Sequence, residues 1–161
     1  MKENRKARRG GEKRLSHVDA KGEARMVDVG EKPVMARVAV AEATLVCAEV
    51  TIRLLKRRAL PKGDVLAVAR VAGIQAAKQT ANLIPLCHVL PLDAVKVDFE
   101  VMARSVRVTC QVRTQARTGV EMEALTGAAV AALTLYDMSK AVDKGMRVEG
   151  VRVVKKVKAE G

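Results

Sequence analysis

Ala94-Val95-Lys96-Val97-Asp98-Phe99-Glu100-Val101 and, after Met102-Ala103-Arg104, Ser105-Val106-Arg107-Val108-Thr109-Cys110-Gln111-Val112-Arg113 carry the clearest pattern in this chain. In the first run Val95, Val97, Phe99 and Val101 alternate with Lys96, Asp98 and Glu100. In the second, a strand expected from Ser105 to Arg117, Val106, Val108, Cys110 and Val112 alternate with Arg107, Thr109, Gln111 and Arg113. A period of two sends alternate side chains to opposite faces. One apolar and one polar face per strand is the pattern of an antiparallel sheet covered on a single side.

The reading extends outward from these two strands. Upstream, Pro85 and Pro91 bracket a turn that holds Cys87 and His88. Before it, Asp64 is placed to cap a helix running to about Leu83, with Val65, Leu66, Val68, Ala69, Ala72 and Ala76 as a wide apolar face. Pro61-Lys62-Gly63 is a loop, Glu49 to Arg58 a short helix with Val50, Leu54 and Leu55 on one side, and Val34 to Val46 a strand. Downstream, a helix is predicted near Val120–Ala141 and a last strand from Arg147 to Lys156. The order β-α-α-β-β-α-β predicts an α+β fold: a ferredoxin-like antiparallel sheet with helices on one face, plus an extra helix. Ala124, Ala128, Ala129, Ala131 and Ala132 make the last helix small-sided on more than one face. That predicts a second subunit packed against part of it.

Composition narrows the class. A chain of 161 residues fits one domain with a core large enough to fold unaided. With 49% hydrophobic and 30% charged residues it is globular, yet only 1% is aromatic, so the core is built from Val, Ala, Leu, Ile and Met. No apolar run reaches the ~20 residues that span a bilayer. The first residues carry charge without an apolar stretch, so no secretory signal is expected. Cys47, Cys87 and Cys110 are odd in number and lack CxxC spacing, which argues against disulfides or a zinc site and for a cytoplasmic setting. Of the net charge of +12, residues 1–14 hold seven Lys or Arg against two Glu. They are expected to form a basic disordered tail, leaving residues 15–161 as a single catalytic α+β domain whose own positive charge attracts anions.

The chemistry-bearing groups gather at the ends of apolar elements. Thr118-Gly119-Val120-Glu121-Met122-Glu123 opens the last helix. Its acids fit a capping box and the helix dipole, or else accept hydrogen bonds from purine-like N–H groups of a ligand. Tyr136-Asp137-Met138-Ser139-Lys140 closes that helix. Asp137 and Lys140, at i and i+3, form either a surface ion pair or a proton-exchanging pair. Cys87-His88 is either a satisfied turn histidine or a proton carrier. Lys62, Arg37, Lys144 and Lys156 read singly as solvated charges and together as a polyphosphate cradle. No Walker A sequence is present, so phosphate binding would rely on side chains.

Taken together, several uncommon words resemble the cyclic pyranopterin monophosphate synthase family of molybdenum cofactor biosynthesis, over nearly all of residues 15–157. They are Ser16-His17-Val18-Asp19, Ala24-Arg25-Met26-Val27-Asp28-Val29, Lys62-Gly63-Asp64-Val65, Ala69 to Lys78, Leu83 to His88, Thr118 to Thr126 and Tyr136 to Met146. The resemblance implies a ferredoxin-like homohexamer, a trimer of dimers, with active sites at the dimer interface. It implies conversion of 3′,8-cyclo-7,8-dihydro-GTP into cyclic pyranopterin monophosphate with loss of pyrophosphate; no cofactor, metal site, membrane or nucleic acid is expected. Asp137, Lys140 and Lys62 take catalytic positions. Leu86, Cys87, His88, Glu121, Met122, Glu123, Arg37, Asp28 and Lys156 take substrate-binding ones. The chain departs from the family pattern at Val89 (usually proline), Met35 (threonine) and Ser139 (cysteine), and its tail Lys155-Lys156-Val157-Lys158 replaces a glycine-rich one. Two other readings are a basic RNA- or ribosome-binding module and a catalytically silent family member. The first requires stacking aromatics on the sheet.

Overall fold

A computed structural model describes Val18 and residues 21–159; the basic tail predicted over 1–14 lies outside the described residues. The elements run β1 (Met35–Val46), α1 (Glu49–Lys56), α2 (Val65–Lys78), α3 (Thr80–Leu83), β2 (Ala94–Val101), β3 (Ser105–Ala116), α4 (Glu121–Ser139) and β4 (Arg147–Ala159). The strands form one sheet in the order β2-β3-β1-β4, every neighbour antiparallel. This is the α+β, ferredoxin-like architecture expected, with α1 as the added helix. Among the described residues no helix is long and apolar enough to cross a membrane.

Alternation places the core. Ala39, Ala41, Ala43 and Leu45 of β1 and Val106, Val108, Cys110 and Val112 of β3 are buried on one face. α2 and α4 cover that face, adding Val65, Ala69, Ala77, Ala124, Ala128, Ala131, Ala132 and Leu135 to the same cluster. Phe99 and Tyr136 pack partly buried against it. The small side chains let backbones approach closely. A Cβ on Gly73 of α2 would lie 2.9 Å from the Gly127 carbonyl oxygen, and one on Gly127 would lie 2.5 Å from Cys110 Sγ. Ala124, Ala128, Ala131 and Ala132 of α4 are thus filled within the chain by the sheet and by α2, while Ala129 stays half-buried.

Four local readings change. α1 buries Thr51, Ile52 and Leu55 while Val50 is exposed, a face turned by one residue from the expected one. α2 stops at Lys78 because the Thr80 hydroxyl donates to the Ala77 and Ala76 carbonyls at 3.0 and 3.3 Å, claiming acceptors of its last turn. α4 has Val120 as its N-cap with no side-chain capping bond, so the predicted capping box does not form. β4 runs three residues past Lys156, and its register against β1 shifts where Ala43 faces both Gly150 and Val151. Gly150 supplies the left-handed backbone there, with φ +66°.

Candidate active site

The C-terminal end of α4 holds a compact charge cluster. Asp137 lies in the last turn and Lys140 is the C-cap residue. Lys140 Nζ lies 2.8 Å from Asp137 Oδ1. Lys62, from the loop between α1 and α2, brings its Nζ to 2.7 Å from Asp137 Oδ2 and 3.2 Å from the Asp137 carbonyl oxygen. Each carboxylate oxygen therefore faces its own ammonium group. The Lys140 bond first, then the Lys62 bond, hold the Asp137 carboxyl down to about 2. The same bond raises the Lys140 amine. Two ammonium groups on one carboxylate leave a net positive charge at a helix C-terminus, where cations suit the dipole. They are about half exposed, so their pairing adds little to stability. An anionic ligand can reach them.

The N-terminal end of α4 is different. A cavity of about 300 Å³ is lined by Val27, Leu86, Cys87, His88, Met122 and Glu123, with Glu121, Thr118 and Gly119 at its side. His88 Nε2 lies 2.8 Å from the Val27 carbonyl oxygen. A carbonyl only accepts, so Nε2 carries the proton and Nδ1 is left for another partner. Glu123 is 4% exposed. Burial pushes its carboxyl up, the charge of Glu121 adds to the rise, and a backbone N–H and His88 partly oppose it. Burial, with Glu123 beside it, also raises the Cys87 thiol. Cys87 is thereby kept as a thiol, a poor nucleophile.

Beside this cavity, Lys156 Nζ lies 2.6 Å from Glu121 Oε1. Burial pulls the Glu121 carboxyl up, but Lys156, a backbone N–H and Arg37 together outweigh it, leaving it below the ordinary range. Arg37 donates through Nε to the Ala116 carbonyl at 3.3 Å and through Nη2 to that of Arg117 at 3.2 Å. Arg37, Lys156 and Lys158 share a recess of about 160 Å³ with Glu121. The β1–β4 register opposes Arg37 to Lys158 and Ala39 to Lys156, which puts these cations on the helix-covered face. Asp28 stands apart. Val27 and Val29 line the larger cavity while Asp28 between them is exposed, and its Oδ1 accepts from Gly30 N at 2.8 Å.

A family model described as the MoaC family matches residues 26–159. The chain belongs to the MoaC family. Proteins named cyclic pyranopterin monophosphate synthase match it over most of both lengths. The one from Chloroflexus aggregans is 54% identical over 144 residues, covering 88% of this chain and 87% of the relative. Those from Thermomicrobium roseum and Novosphingobium aromaticivorans are also 54% identical, covering 88% of this chain and 87% and 90% of the relatives.

In this MoaC-family chain the site residues expected from sequence fall into two groups. Lys62, Asp137 and Lys140 meet at one end of α4. Leu86, Cys87, His88, Met122 and Glu123 meet at the other, with Glu121, Arg37 and Lys156 adjoining. Fourteen residues separate Glu123 from Asp137 along α4, about 21 Å of helix. Lys62 is thus far from the other two expected phosphate ligands, Arg37 and Lys156, within one chain. Val27, Val29, Lys32 and Leu90 also line the cavity and are missed by the sequence reading. The His88–Val27 bond spans 61 positions, and no local pattern announces it. Another cavity of about 290 Å³, beside Leu55, Leu60, Val65 and Arg70, holds no comparable set of proton-transfer groups. No group of three or more His, Cys, Asp or Glu able to hold a metal occurs among the described residues. Phe99 lies against the core with the Arg70 guanidinium 5.4 Å from its ring centre. It is therefore not placed on the polar face of the sheet, where a stacked base would need it.

Proposed function

We propose that this chain converts 3′,8-cyclo-7,8-dihydro-GTP into cyclic pyranopterin monophosphate with release of pyrophosphate, a lyase step of molybdenum cofactor biosynthesis. One observation carries the reading: identity of about 54% to proteins named cyclic pyranopterin monophosphate synthase runs across 88% of the chain, through both ends of α4. Residues 15–161 form the catalytic domain, and the setting is cytoplasmic. The chemistry asks for groups that these two ends supply. Lys62 and Lys140, both paired with Asp137, donate hydrogen bonds to phosphate oxygens and stabilise the charge that develops as pyrophosphate leaves. Asp137 stays ionised and fixes the direction of both ammonium groups, and Lys140 is the proton donor of the pair. Glu123, its carboxyl raised by burial, takes up a proton more readily than a free carboxylate. Together with Glu121 it accepts from the N–H edge of the purine-derived ring. His88 offers Nδ1, Leu86, Cys87 and Met122 pack on the ring, and Arg37 and Lys156 meet the remaining negative charge. Asp28 is an outer position that reaches the ligand only if its loop turns.

One small substrate touches both ends of α4 most simply when two copies each contribute one end, so the reading includes sites shared across a dimer, three dimers making a hexamer. β4 supports self-association: it is a thirteen-residue edge strand with Val151, Val153, Val154 and Val157 exposed, and such edges pair with other chains.

The direct test is pyrophosphate release from the cyclic substrate, wild type beside Asp137→Asn. Release by wild type and its loss in the variant are expected; equal rates in both would overturn the assignment of Asp137. Mixing His88→Ala with Lys140→Ala subunits tests the sharing. Random reassembly should restore about a quarter of wild-type activity, because half of the dimers are mixed and one of their two sites is intact. No recovery after verified subunit exchange would place each site within one chain.

A further inference from the structure

Asp143, three residues beyond Lys140, has no place in the chemistry above, yet it holds together the two segments that bear the lysines. Its Oδ2 accepts from the Ala48 backbone N–H at 2.7 Å and from the Thr51 hydroxyl at 3.0 Å. Its Oδ1 accepts from the Gly145 N–H at 3.0 Å, folding its own turn. Ala48 is the N-cap residue of α1 and has no side chain able to cap it. A carboxylate 95 positions away in sequence therefore does the capping. Thr51 is 1% exposed, so its hydroxyl has few alternatives to this bond.

The consequence runs along α1. This helix has eight residues, about 12 Å of rigid rod. Its far end closes through bonds from Arg58 N to the Leu55 carbonyl and from Ala59 N to the Leu54 carbonyl, and the chain then passes Pro61 into Lys62. α1 is thus pinned at two places, to the turn after α4 and to the last turn of α4 itself: Asp143 holds its start, and Lys62, just beyond its end, grips Asp137. On the other side, Val142 N and Asp143 N both bond the Ser139 carbonyl, tying Asp143 directly to the turn that presents Lys140.

We propose that Asp143 is a positioning residue, a latch that sets Lys62 against Asp137 and Lys140 by docking the start of α1 onto the post-α4 turn. It acts through Lys62 and touches no reacting atom. A shift of even an ångström in a positioned cation lowers turnover steeply, so loss of the latch weakens the phosphate-side cations without emptying the ring-binding cavity at the other end of α4. Asn at 143 keeps one acceptor oxygen for the Ala48 and Thr51 donors and gives up only the exposed bond to Gly145.

The activity arm of the test rests on the proposed reaction; the labelling arm does not. Pyrophosphate release is measured for wild type, Asp143→Ala and Asp143→Asn. In parallel, acylation of each lysine by an amine-reactive ester is read by mass spectrometry. Asp143→Ala should slow release about ten- to a hundredfold, mostly in kcat rather than KM, while Asp143→Asn stays within about threefold of wild type. Lys62 acylation should rise in Asp143→Ala and not in Asp143→Asn. Unchanged Lys62 labelling in Asp143→Ala, or equal loss in both variants, would overturn the latch. A wild type that releases no pyrophosphate would refute the proposed reaction and leave the labelling arm to decide the latch. Should Asp143→Ala not fold, the near-isosteric Thr51→Val carries the same labelling test. Raised Lys62 acylation supports the latch, and acylation at the wild-type level refutes it.

Discussion

At the N-terminal end of α4, Glu123 is walled off from water and its carboxyl rises; at the C-terminal end, Asp137 stands half in solvent and its carboxyl falls to about 2. Both are acids on one helix, about 21 Å apart. Burial, only partly opposed by His88, makes a group that takes up a proton more readily than a free carboxylate. Two ammonium groups on an exposed carboxylate make one that does so less readily. Of the two, the N-terminal end suits proton traffic on a ring and the C-terminal end suits holding negative charge in place. The contrast owes nothing to residue type.

The contrast breaks most severely at Lys140. Lys140→Ala should cut pyrophosphate release about 10²- to 10⁴-fold while light scattering shows assembly unchanged; normal release by that variant would end the role assigned to it. The same variant sharpens the electrostatic account. A carbon-detected titration should place the wild-type Asp137 midpoint near 2 and show it moving back toward 3.8 when Lys140 is gone. The folded value is the lower one, so any stability from this pairing is present above 3.8 and fades as pH falls through about 2. At so exposed a site its size is small.

The rigid span between the two ends can be broken at Gly127. A valine there drives a Cβ to 2.5 Å from Cys110 Sγ and should cost about 3 kcal/mol in denaturant unfolding; an unchanged midpoint would mean that α2 and α4 do not cross this closely. For Glu123 the sign is opposite to that of Asp137. Its folded carboxyl titrates higher than the unfolded one, so the folded state gains below the ordinary carboxylate range and loses as pH rises through the raised value. Glu123→Gln should therefore melt higher than wild type at neutral pH, and the gap should close as the pH is lowered past 4.5. A gap that widens in acid would reverse the account. The smallest effect concerns Ser139, whose hydroxyl is buried with no hydrogen-bond partner among the described residues. Replacing it by alanine or cysteine should stabilise the fold by about 1 kcal/mol, read as a higher unfolding midpoint. A loss of similar size would show that the hydroxyl is satisfied after all.

The strands were legible because their signal is local: a period of two in β2 and β3 needs only neighbours to be read, and both strands match their expected bounds to within a residue. Asp64 was legible as a cap for the same reason, and Ala67 N donates to it at 3.1 Å. The ends of α4 stood out because charged groups there interrupt an otherwise apolar run. What stayed hidden depends on distant partners. Nothing near Ala48 says that Asp143 will cap it, and nothing near His88 says that the Val27 carbonyl will set its tautomer. Glu121 reads locally as half of a capping box, yet folding brings Lys156 from 35 positions away to claim it. The exposed side of Val50 was misread because a helix of eight residues has too few turns for periodicity to fix its face.

The aromatic-poor core has a practical consequence. Tryptophan is absent and Tyr136 is the only tyrosine. It sits next to Asp137, with its carbonyl bonded to Lys140 N at 2.9 Å. Intrinsic ultraviolet emission therefore comes from a single ring at one end of one helix, so a quenching titration with a nucleotide would report on that end alone. A pterin formed in the reaction would glow against an almost dark protein.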